Sequence, residues 1–206
     1  MKMKETHKYY YELAVKSGQP PCGTGSVAEL VVRAGTVDYI KDLIQRLGIK
    51  SISDCPSGLY ENWMYLVNPI GLGSSYVGYD INDLVVARNK ERYPSIEFNE
   101  FNIVEEVLPK TDLIICRDCL FHLPNQFVIN ALNNFKKSGS TYLLSTEQRW
   151  VKTNNELSPD ELLNESGNKP INLEIEPFNL GIPLEYHDEK NIDDRGIRSM
   201  SLWRIN

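Results

Sequence analysis

A run of β-forming residues, Ile49-Lys50-Ser51-Ile52-Ser53, ends in the turn Asp54-Cys55-Pro56-Ser57-Gly58, and the next β-rich run, Tyr76-Val77-Gly78-Tyr79, ends in Asp80. A strand closing in a tight Gly/Pro turn, then a helix, then a strand ending in an acid is the arrangement by which open α/β sheets hold a nucleoside. The turn lets backbone approach the ligand, and the acid about 20 residues on accepts hydrogen bonds from ribose hydroxyls. The chain is therefore expected to bind an adenosine cofactor, with Asp54, Pro56, Ser57, Gly58, Asp80 and Ile81 around it. An acid favoured by the dipole at a helix start is the competing explanation of Asp80.

Pro56 stands where a dinucleotide fingerprint has its first glycine, and no third glycine follows, so a pyrophosphate would be poorly served at this turn. A ligand without phosphates fits better. Downstream, Thr111-Asp112-Leu113-Ile114-Ile115-Cys116-Arg117-Asp118-Cys119-Leu120-Phe121-His122-Leu123-Pro124 reads as a buried strand running into a polar turn.

Together these segments resemble the class I S-adenosylmethionine-dependent methyltransferases, from about Gly23 to the C-terminus. The similarity is greatest to a bacterial and viral branch associated with capsule and surface-polysaccharide biosynthesis. Its motifs read roughly Asp-x-x-Cys-Gly-Asp-x-Asn-Trp-Met and Leu-Cys-Arg-Asp-x-Leu-x-His-Leu. Here they become Asp54 to Met64, with Asn62-Trp63-Met64 retained and one extra residue in the turn, and Cys116 to Leu123. The resemblance implies an α/β, Rossmann-like fold: a mostly parallel seven-stranded sheet with an antiparallel C-terminal hairpin and helices on both faces. It implies S-adenosyl-L-methionine as cofactor, held by Gly25 of a Gly/Ser-rich segment, Asp54, Pro56, Ser57, Gly58, Trp63, Asp80, Ile81, Asn102, Cys116 and Arg117. Asn102 stands where the family has an acid and would meet the adenine amino group through its side-chain carbonyl.

A chain of 206 residues suits one domain. Residues 1–48 are expected to form a helical and Gly/Ser segment over the cofactor, and 49–206 the catalytic sheet core. A net charge of −6 and no Lys/Arg block argue against a nucleic-acid partner. The basic N-terminus lacks an apolar run behind it and nothing approaches the ~20 apolar residues of a membrane span, so a cytoplasmic protein is expected. Four cysteines make no disulfide framework, and the Cys116-x-x-Cys119 pair lacks the partners a zinc site needs, so no metal is expected.

Periodicity predicts helices over Glu5–Lys16, Val27–Leu47, Tyr60–Val67, Asn82–Tyr93 (capped by Asn82) and Asn125–Lys137. Strands are expected over Ile49–Cys55, Ser75–Asp80, Ile96–Asn102, Asp112–Arg117, Thr141–Thr146, Leu184–His187 and Arg198–Ile205. A further short helix is expected at Pro159–Leu163.

Methyl transfer to a hydroxyl needs the acceptor placed in line with the sulfonium and its proton removed. His122 has the side chain suited to that proton transfer near neutral pH, and Asp118, four residues earlier, is expected to share its helical face and orient it. Arg117, Arg149, Trp150, Asn168 and Asn172 are the expected substrate contacts. The acceptor expected from the resemblance is a small molecule: a sugar nucleotide, a glycan, or a phosphoryl or phosphoramidate precursor. A nicotinamide-dependent oxidoreductase and a non-catalytic adenosyl-binding protein are the alternatives.

Overall fold

The computed structural model describes residues 12, 16, 27–156, 169–189 and 196–206. The expected helices Glu5–Lys16 and Pro159–Leu163, with Gly25 and Asn168, lie wholly or largely outside them.

Where one helix is expected over Val27–Leu47 there are two, α1 (Ala28–Arg33) and α2 (Thr36–Leu47). The break falls at Gly35, whose φ of 78° is left-handed; a Cβ there would also stand 3.3 Å from the His187 ring. The remaining elements are β1 (Ser51–Asp54), a 3₁₀ turn (Tyr60–Asn62) running into α3 (Met64–Val67), β2 (Ser75–Asp80), α4 (Asp83–Arg92), β3 (Glu97–Glu100), β4 (Leu113–Cys116), a 3₁₀ turn (Leu120–His122), α5 (Asn125–Lys137), β5 (Tyr142–Glu147), β6 (Glu185–Glu189) and β7 (Arg198–Arg204). The Asn82 side chain caps α4 by accepting the Leu84 N–H at 3.0 Å.

These strands form one seven-stranded sheet in the order β3-β2-β1-β4-β5-β7-β6. The first five are parallel, whereas β7 runs antiparallel between β5 and β6. Alternation along the central strands sends residues to two cores. Ile52, Leu113, Ile115, Leu144 and Leu202 pack with α1, α2 and α3, while Ile114, Cys116, Leu143 and Trp203 pack with α5 and with Ile171, Leu173 and Phe178. Covering both faces leaves the strand ends as the place for a ligand, and the order reverses between β1 and β4. No helix among the described residues is long and apolar enough to cross a membrane.

Candidate functional site

At the end of β1, Asp54 is buried and its carboxylate accepts the Tyr76 hydroxyl at 2.7 Å. The chain passes a cis Cys55-Pro56 peptide; the Ser57 N–H donates to the Tyr79 carbonyl at 2.7 Å. Gly58 adopts φ 52°, and its N–H meets Asp80 Oδ2 at 3.0 Å. The other Asp80 oxygen accepts from Asn82 N at 2.9 Å. Turn and acid are thus one unit. Asn89 completes it, donating to the Gly58 carbonyl at 2.8 Å and accepting the Tyr60 N–H at 3.1 Å. Neither Tyr76 nor Asn89 is singled out by sequence reasoning. An amide inside an otherwise apolar helix face with Val85 is the signal that could have found Asn89.

Burial pushes the Asp54 carboxyl up to about 7, against the Tyr76 hydrogen bond that lowers it. Burial likewise raises Asp80 to about 6, despite three backbone donors that favour its charged form. A carboxyl whose folded pKa lies above its unfolded value holds its proton more tightly when folded. Its stabilising contribution is complete below the ordinary carboxyl range and is lost as pH rises towards 7. The melting temperature should therefore fall between about pH 4 and 7, with Asp54 contributing up to about 1.4 kcal/mol per pH unit. In a thermal-melt series, Asp54→Asn should flatten that fall; an unchanged slope would show that Asp54 is ionised throughout.

At the end of β4, Arg117 does not lie open on the rim as an acceptor contact. Its side chain is 2% exposed, with Nε and Nη2 on the Glu189 carboxylate at 2.9 and 3.3 Å and Nη1 3.0 Å from Asp118 Oδ2. Its guanidinium lies 5.4 Å from the centre of the buried Trp63 ring, so Trp63 belongs to the core and also faces this cation. Burial lowers the pKa of Arg117, but Asp118 and Glu189 raise it by more. Thr36, at the start of α2, donates to the same Glu189 oxygen at 2.7 Å.

Asp118 departs from the expected helical turn. It has φ 53°, and the 3₁₀ turn spans only Leu120–His122. Its carboxylate faces Arg198 Nη1 at 3.1 Å and Arg117 Nη1 at 3.0 Å, so its oxygens serve two arginines. His122 is exposed, with its ring 4.5 Å from that of Phe121. The buried Cys116 thiol hydrogen bonds with Cys119, which raises its pKa. The Asn102 side-chain carbonyl accepts the Val104 N–H at 3.0 Å and so shapes a local turn after β3.

Beyond β5, Arg149 donates to Glu174 at 2.6 Å and its guanidinium sits 3.7 Å from the centre of the Tyr186 ring. The Trp150 indole donates to the Ile197 carbonyl at 3.1 Å. Both residues line a cavity of ≈ 160 Å³ with Tyr186, Asp188, Ile197 and Ser199. Asn172, expected as a substrate contact, is instead an internal clamp. It is buried and bonds to the Val151 carbonyl at 3.0 Å, the Glu174 N–H at 2.9 Å and Asn154 at 2.8 Å. Glu147, at the end of β5, is a buried acid that sequence reasoning does not single out. Burial lifts its carboxyl to about 7, opposed by the Leu173 N–H, which donates to Glu147 Oε2 at 2.9 Å. An acid closing the apolar run Tyr142-Leu143-Leu144 is the sequence signal for it.

No protein-family model matches the chain, and no curated protein matches it in sequence. Among solved structures it is similar to magnesium protoporphyrin IX methyltransferase from Synechocystis PCC 6803 with bound SAM, at TM-score 0.57 and 14% identity, over 84% of this chain and 80% of that one. It is also similar to N,N-8-amino-8-demethyl-D-riboflavin dimethyltransferase from Streptomyces davawensis, at TM-score 0.62 and 14% identity, over 85% of this chain and 55% of that one. Human N-acetylserotonin methyltransferase in complex with SAM gives TM-score 0.53 and 15% identity, over 84% and 55%. The chain thus spans little more than half the length of the last two. The fold is that of the Rossmann-like methyltransferases.

Proposed function

We propose that this chain is an S-adenosyl-L-methionine-dependent methyltransferase acting on a small polar acceptor in the cytosol. The observation that carries the reading is that both N–H groups of the glycine turn are already bonded within the protein, Ser57 to the Tyr79 carbonyl and Gly58 to Asp80. A pyrophosphate would find neither donor free and would face two buried carboxylates, Asp54 and Asp80. An adenosyl ligand carrying an ammonium and a sulfonium matches those carboxylates. That disfavours a nicotinamide dinucleotide.

Bound there, the cofactor supplies an electrophilic methyl group. Asp80 would accept hydrogen bonds from the ribose hydroxyls, and the Ser57-Gly58 backbone would face the amino-acid moiety, with Asp54 as counter-charge to its ammonium. His122, on the turn after β4, would take the acceptor's proton. Oxygen is the proposed methyl acceptor atom, and a sugar, glycan or sugar nucleotide of surface-polysaccharide synthesis is the class the motif resemblance implies.

S-Adenosylhomocysteine should raise the melting temperature where NAD does not, because a ligand binding only the folded state stabilises it by mass action. Equal shifts with NAD would sink the methyltransferase reading. By calorimetry, Asp80→Ala should weaken S-adenosylhomocysteine binding by about 1.5–3 kcal/mol, the scale of a hydrogen bond to a charged group. An unchanged Kd would leave Asp80 as a helix-start acid only.

A further inference from the structure

The arginines that could draw an anion to the β4-β5-β7-β6 end of the sheet each face a protein carboxylate: Arg117 faces Glu189 and Asp118, Arg198 faces Asp118, and Arg149 faces Glu174. Five acids, Asp118, Glu147, Glu174, Asp188 and Glu189, stand with these three arginines among the described residues. Counting Glu147 as neutral still leaves a surplus of acids. The connecting segments add no positive surplus by sequence: 157–168 holds three acids and no base, and 190–195 two of each.

The cavity beside Arg149 has walls suited to a cation. Trp150 is 48% exposed and Asp188, which accepts the Ser199 hydroxyl at 2.7 Å, contributes a carboxylate, whereas the Tyr186 ring already carries the Arg149 guanidinium 3.7 Å from its centre. An aromatic face attracts an ammonium through its quadrupole, and a carboxylate adds a charge-assisted hydrogen bond. An anion would have only Arg149, already 2.6 Å from Glu174. At ≈ 160 Å³ the cavity is smaller than a typical pocket for a whole ligand, so it suits one group of a ligand.

We propose that this cavity is a subsite for an ammonium-bearing group of the acceptor and that it discriminates against a phosphoryl group. Naming the ligand an acceptor rests on the methyltransferase reading; the preference for an amine does not.

Calorimetric titration of the full chain, with and without saturating S-adenosylhomocysteine, would compare glucosamine, glucose and glucose 1-phosphate, which share a ring and differ in charge. Glucosamine should bind about fivefold more tightly than glucose, the scale of an exposed cation–π contact, and glucose 1-phosphate more weakly than either. Asp188→Asn, which keeps an acceptor for Ser199, should erase the glucosamine preference, and Trp150→Ala should weaken both neutral and cationic sugars. Absence of glucosamine binding, tighter binding of glucose 1-phosphate, or a preference that survives Asp188→Asn would each overturn the proposal. Failure of S-adenosylhomocysteine to bind while the glucosamine preference stands would overturn only the methyltransferase reading.

Discussion

Replacing Glu189 by alanine should lower the unfolding free energy by about 3–5 kcal/mol, because it strips the buried Arg117 guanidinium of the carboxylate on its Nε and Nη2 and leaves only Asp118, at Nη1. Arg117 and Glu189 side chains are 2% and 0% exposed, so water cannot replace the lost partner without opening the core. The same change strips Thr36 of its acceptor at the start of α2. For a chain of this size the melting temperature should fall by roughly 6–20 °C. The double change Arg117→Met with Glu189→Met should recover much of that loss, since apolar pairs of similar volume often replace buried ion pairs without penalty. Denaturant unfolding of both variants distinguishes the cases; a single-variant loss below about 1 kcal/mol would mean that the pair is solvated.

That pair also shows where sequence reading reaches its limit. Leu113-Ile114-Ile115 announces a strand buried on both faces, and Asn125–Lys137 carries a periodicity and a following Gly139 that fix α5 at its observed bounds. The turn Asp54–Gly58 and Asp80 are legible for the same reason: each is local, and the strand-helix-strand path brings them together. Arg117 is different. Its partner is 72 positions away on β6, and a charged residue after a strand reads as surface until a distant element covers it. Asn172 is misjudged in the same way, since its partners Asn154 and Val151 lie around twenty residues back along an irregular segment. Gly35 looks like a tolerated glycine within one helix, and its left-handed turn is tied to close packing by His187 from the far end of the chain. Tyr186 and Asp188 join Arg149 only because β7 separates β6 from β5, and no periodicity encodes that order.

His122→Asn should reduce turnover of a hydroxyl acceptor by about 100-fold or more while leaving S-adenosylhomocysteine affinity little changed, since general base catalysis commonly contributes that much. The side chain is exposed at the end of the turn that follows β4, beyond the buried Phe121 and Leu123, so it is available to a ligand and its loss should not unfold the core. Asp118 is not placed to orient it as in a Ser-His-Asp arrangement, because the Asp118 oxygens face Arg198 and Arg117. Asp118→Asn should therefore act chiefly on stability, through the arginine cluster, and should not reproduce the pH profile of the histidine variant. With a histidine base, turnover rises with pH across the range where imidazoles titrate, about pH 5–8, and that limb should vanish in His122→Asn. Initial rates measured with labelled methyl donor across that range separate the possibilities. A His122→Asn enzyme with wild-type turnover and an unaltered profile would mean that positioning alone drives transfer, as expected of an acceptor oxygen that carries its own charge. The pairing of Arg117, Arg149 and Arg198 argues against such an acceptor, because each already faces a protein carboxylate that offsets the charge an anion would seek.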